Sequence, residues 1–150
     1  MGGGVAVRDA TNVFFTNVRI VSNGTTIGGG GVNVSTGSAV TFTNCVVAEN
    51  ASSSNGAGVS SSDSSVTLDF CTVTQNTSID DFAFAGVFAT GTPVTMRNTI
   101  VYDNNLFEVA GVDASYCNVK GGVAGIGNID ADPDFLSLIH ISEPTRLNCL

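Results

Sequence analysis

Apolar and polar positions alternate along this chain in short runs rich in β-branched residues. Four of the runs align without gaps: VFFTNVRIVSN (13–23), VTFTNCVVAEN (40–50), VTLDFCTVTQN (66–76) and VTMRNTIVYDN (94–104). Their first column is Val13, Val40, Val66 and Val94, and two residues on stand Phe15, Phe42, Leu68 and Met96. Val18, Cys45, Cys71 and Thr99 follow, then Ile20, Val47, Val73 and Val101, and the runs end at Asn23, Asn50, Asn76 and Asn104. Apolar residues two apart predict strands with one buried face. Gly-rich segments separate the runs, and the valines that close them (Val5, Val32, Val59, Val87 and Val112) are spaced 27, 27, 28 and 25 residues. Gly and Asn tolerate positive φ, so these segments predict turns.

A period of roughly 27 residues with several short strands in each predicts an all-β solenoid of about 4–5 coils, one coil per repeat. Neighbouring coils then lie about 4.8 Å apart and pair as parallel strands, with like residues stacked inside. The Asn column is expected at a corner, its amides bonded from coil to coil. Propeller blades run longer and do not demand this register. The nine-residue repeat of a calcium-binding β-roll is missing.

These columns resemble the right-handed parallel β-helix repeats of the pectin-lyase-like fold, found in bacterial secreted and surface proteins. The stretch SYCNVKGGVAGIGNIDADPDF (115–135) is similar to the closing coil of such arrays. The resemblance implies a right-handed, single-stranded parallel β-helix and an extracellular or cell-surface location. Lyases of that fold use carboxylates on Ca²⁺ with an Arg or Lys base, and its hydrolases use clustered Asp. Residues 1–135 depart from both patterns, with no His and only Arg8, Arg19, Arg97 and Lys120 as basic residues. The expected function is a non-catalytic scaffold, an adhesion or polysaccharide-contact module of a larger protein. The alternative is the C-terminal part of a polysaccharide lyase or glycoside hydrolase whose groove lies on other coils.

Charge narrows the partners. The 150 residues carry 13 acidic and 5 basic side chains, a net charge of -8, with no Lys/Arg cluster. That argues against nucleic acid. No apolar run reaches the roughly 18 residues of a spanning helix, so membrane insertion is not expected. The ends read differently. Residues 136–146, LSLIHISEPTR, resemble the translation of a transposon-type adapter used in DNA sequencing libraries, so 136–150 is expected to be a non-native tail. It holds the single His, His140, with Glu143, Arg146 and Cys149. Residues 1–135 are expected to form one β-helix fragment, because Met1 is followed directly by mid-repeat sequence. An open first coil would favour self-association.

Within the repeat, Asp69 and Arg97 occupy one outward column on adjacent coils, after Thr16 and Thr43. They form either a site for a substrate carboxylate or an exposed ladder ion pair. Thr41, Thr67 and Thr95 form a second outward column with Phe14 and are candidate contacts to a polysaccharide. Asn128, Asp130, Asp132 and Asp134 alternate, so an extended chain would turn their oxygens to one side, the requirement for a weak Ca²⁺ site. No other cofactor is expected. Cys45 and Cys71 share an inward column on adjacent coils, a separation that suits a disulfide, while the odd count of three with Cys117 favours free thiols acting as small apolar residues. Phe82, Phe84 and Phe88 lie in the most irregular connection and either line a groove or cover the coil.

Overall fold

A computed structural model describes residues 3–135; the tail, with His140, Glu143, Arg146 and Cys149, lies outside them. All regular elements among the described residues are strands, arranged as four parallel sheets that the chain visits in turn. The first sheet holds Val5–Arg8, Val32–Ser35, Val59–Ser62, Phe84–Thr90 and Phe107–Ala110. The second holds Val13–Thr16, Ala39–Thr43, Ser65–Asp69, Val94–Arg97 and Val112–Ser115, and the third Arg19–Val21, Val46–Ala48, Thr72–Thr74, Ile100–Tyr102 and Asn118–Val119. A fourth, short sheet holds Gly24–Thr25, Ala51–Ser52 and Thr77–Ser78. The chain is a β-solenoid of about four turns.

Register follows the repeat. Phe15 pairs with Phe42, Phe42 with Leu68, and Leu68 with Met96. Val13, Val40 and Val66 pair in the same way, and Val94 pairs with Val112. Phe42, Leu68 and Met96 are fully buried, and the Phe15 and Phe42 rings stack at 4.9 Å. Like-on-like stacking therefore builds the core from side chains whose volumes already match. The cysteine column runs Val18, Cys45, Cys71, Thr99 and on to Cys117. All three described cysteines are free and buried, each thiol donating to a carbonyl.

Corners are made by single residues in the left-handed region. One such column follows the second sheet: Asn17, Asn44, Phe70, Asn98 and Tyr116, with φ between 48° and 57°. Another follows the third: Ser22, Glu49, Gln75 and Asp103. A lone left-handed residue turns the chain by one face and returns it to extended geometry.

One column differs from the sequence reading. Val87 pairs with Val109, not with the Val112 of the repeat spacing; Val112 lies in the second sheet beside Val94. The last coil is shorter because the segment between Tyr102 and Phe107 skips the fourth sheet. Asn105 replaces the missing strand. Its side-chain amide accepts from the Ser78 N–H and donates to the Ser78 carbonyl, each at 2.7 Å, as a neighbouring peptide would. The segment after Val119 folds back over the final coil. Ile129 bonds Cys117 and Val119 through the backbone, and the Asn128 amide accepts from the Cys117 N–H.

Candidate functional site

The outward face of the second sheet carries two straight columns. Pairing aligns Phe14, Thr41, Thr67, Thr95 and Asp113 in one, and Thr16, Thr43, Asp69, Arg97 and Ser115 in the other. Strand alternation forces this, since the residues between them point into the core. Thr41, Thr67 and Thr95 thus stand one coil apart with half-buried side chains. A shallow groove beside the last coil is lined by Thr95, Arg97, Asp113 and Ser115.

Asp69 and Arg97 are register partners, yet they do not form the expected ion pair. Among the described residues the one ion pair is Lys120 Nζ to Asp103 Oδ1, at 2.9 Å. Asp69 instead accepts from Asn98 Nδ2 at 3.2 Å. Asn98 sits in the left-handed corner and can lay its short amide back along the previous coil. An exposed Arg loses less by staying hydrated. Arg97 is therefore left facing solvent on this face.

The Asn column runs through the interior beside the corner after the third sheet. Asn50, Asn76 and Asn104 each accept on Oδ1 from both the backbone N–H and the Nδ2 of the preceding Asn, at 2.8–3.1 Å. Each Nδ2 also reaches a carbonyl; Asn76 bonds both Val47 and Thr74. All amides point the same way, so the final Nδ2 needs an acceptor that no fifth Asn supplies. Glu108 supplies it, accepting from Asn104 Nδ2 at 2.6 Å and from the Asn104 N–H at 3.2 Å. Burial raises the Glu108 carboxyl above its ordinary range, and the two bonds from Asn104 act against that rise. The sequence reading missed Glu108, because it stands once, where the earlier coils carry Gly31, Gly58 and Gly86, and so belongs to no repeating column.

The acidic closing segment is spent on turns. Asp130 accepts from the Gly121 N–H, and Asp132 accepts from the Asp134 N–H. Among the described residues no three His, Cys, Asp or Glu side chains converge as a metal site, so Asp130, Asp132 and Asp134 are not brought together. Phe84 lies between Phe88 and Phe107, with ring centroids 6.0 and 5.3 Å apart, while Phe82 is exposed.

Two residues that the sequence reading did not single out adjoin the Thr face. Phe70 and Tyr116 hold corner positions that are Asn in three other coils, and their side chains are 60% and 64% exposed. The signal was present as a break in that Asn column.

Comparison with curated proteins gives no match, and comparison with solved structures gives none either. The model of the right handed beta helix region matches residues 1–92, and with the parallel coils described above this shows that the chain belongs to the right-handed β-helix family.

Proposed function

We propose that this segment is a non-catalytic contact module of a larger secreted or surface-displayed protein, holding a polysaccharide against the outer faces of its coils. The observation that carries the reading is the flat second-sheet face, where Thr41, Thr67 and Thr95 repeat in register beside Thr16 and Thr43. Hydroxyls repeated one coil apart, about 4.8 Å, offer a polymer the same donors and acceptors at every step. Asp69 and Arg97 end that array and supply its charged contacts. The hydrogen-bonded ladder and the stacked core keep the face rigid, so little entropy is lost on binding.

Affinity electrophoresis of the 150-residue chain through gels containing polygalacturonate, hydroxyethylcellulose or galactomannan tests this. The module reading predicts retardation in at least one gel and no release of unsaturated uronate or reducing ends, with or without calcium. Steady turnover of any of the three would replace it with the enzyme reading.

A further inference from the structure

We propose that Phe70 and Tyr116, with Asn98 between them, form a stacking site for an extended, uncharged polysaccharide; this deepens the contact-module reading and rests on it. The argument starts from local energetics. The corner after the second sheet requires φ near +50°, and Asn is the non-Gly residue that accepts this most readily. Asn17, Asn44 and Asn98 follow the rule. Phe70 and Tyr116 break it with bulky side chains that are also mostly in water. Backbone preference rewards neither ring, and both stay mostly in water although Tyr116 touches Gly127 on one side. Residues that break a local rule without a folding gain mark functional positions.

Their placement describes a ligand. The two rings stand two coils apart, about 9.6 Å, on one edge of the solenoid. A single depression is lined by Phe70, Asn98, Ile100, Tyr116, Asn118 and Ile129. A Cβ at Gly127 would collide with the Tyr116 ring, so the ring rests on the Gly127 backbone and is held in place on that side. Flat, exposed, pre-oriented rings suit the C–H faces of sugar rings. The Asn98 amide between them, whose Nδ2 donates to Asp69, keeps its oxygen as an acceptor for sugar hydroxyls, and the Tyr116 hydroxyl adds a donor and acceptor. Successive sugars of an extended chain advance by about one coil height, so alternate sugars would meet alternate coils.

Charge selects the class. No residue lining the depression is charged, and the whole chain carries -8. A polyuronate would bring its carboxylates to a depression whose lining holds no cation and whose Asn98 is bonded to Asp69, against a repulsive field. A neutral glycan meets no such cost.

The test is affinity electrophoresis of the whole chain, comparing wild type with Phe70→Asn, Tyr116→Asn and the face variant Thr67→Glu. Hydroxyethylcellulose and galactomannan serve as neutral probes and polygalacturonate as the charged one. The proposal expects retardation by a neutral probe that falls at least tenfold in Phe70→Asn and Tyr116→Asn. It also expects their melting temperatures to stay at or above wild type, because Asn suits the corner. A structural role for the rings would lower the melting temperature instead and would overturn the proposal. Retardation by polygalacturonate alone overturns the uncharged class. Neutral retardation that survives both corner variants but fails in Thr67→Glu overturns the corner site and leaves the face reading standing. No retardation by any probe overturns both.

Discussion

Replacing Asn76 by Ala removes the middle rung of the ladder. Five hydrogen bonds go with that side chain: two accepted from Asn50, two donated to the Val47 and Thr74 carbonyls, and one donated to Asn104. Buried bonds of this kind contribute about 1 kcal/mol each, and an orphaned buried donor costs about 1–3 kcal/mol. The Asn50 N–H is orphaned, whereas Asn50 Nδ2 keeps the Ile20 carbonyl. The five bonds share only the Oδ1 and Nδ2 atoms and so do not add in full, and the expected loss is about 4 kcal/mol. Asn23→Ala, at the half-buried end, removes only the bonds to Val21 and Asn50 and should cost about 1 kcal/mol, since water replaces part of what is lost. Urea unfolding followed by far-ultraviolet circular dichroism measures both, with m-values checked for constancy. The melting temperature should fall by about 8–16 °C in Asn76→Ala and by only a few degrees in Asn23→Ala. Equal, small losses at both positions would refute the claim that the ladder acts as a buried, connected network.

Glu108 gives a pH signature. Burial raises its folded-state pKa, so its contribution to stability is fully present below the ordinary carboxylate value, about 4.3, and is lost as pH rises through the folded value. Urea midpoints of wild type should therefore fall relative to Glu108→Gln as pH rises above the ordinary carboxylate value, with Lys120 and Asp103 as the charges facing the group; parallel profiles would contradict this. The Cys71 thiol is pushed up to about 11, chiefly by burial, so iodoacetamide at neutral pH should label it only after unfolding, and rapid native labelling detected by mass spectrometry would oppose that. Asn105→Ala leaves the Ser78 N–H and carbonyl without their side-chain partner and should cost about 1–2 kcal/mol in urea, while Asn105→Asp restores only the acceptor half. The first coil pairs on one side only and leaves Val5, Val13 and Phe15 half-buried, so light scattering should show concentration-dependent association, reduced in Val13→Lys.

The coil stack was legible in the sequence because each buried column repeats one kind of side chain at one spacing. Phe15 over Phe42 and Ile20 over Val47 are the same statement in sequence and in space. The Asn column was legible for the same reason. Its interior position was not, since an amide reads as a surface residue until its partners are known. Val112 was misplaced because the last coil loses its fourth strand, and a shortened coil shifts every spacing after it. The Asp69–Arg97 pairing was read correctly as proximity and wrongly as an ion pair, because the Asn98 amide competes for the same carboxylate. Phe70 and Tyr116 were not legible because a column that mixes Asn17, Asn44 and Asn98 with aromatic rings shows no common side-chain type until its shared left-handed φ is known. Residues such as Glu108 and Asn105 mend single breaks in the repeat, and a one-time repair leaves no periodic signal.

Everything assigned to the outer face depends on residues one period apart lying on adjacent coils in parallel register. Disulfide trapping tests this directly. Thr41→Cys with Thr67→Cys places two thiols on neighbouring strands about 4.8 Å apart, inside the Cα range of a disulfide, whereas Thr41→Cys with Thr95→Cys places them about 9.6 Å apart, outside it. Under mild oxidation of the folded chain, mapped by mass spectrometry, the first pair should close in high yield and the second should remain reduced. Closure of the second pair, or failure of the first in a folded chain, would contradict the coil register.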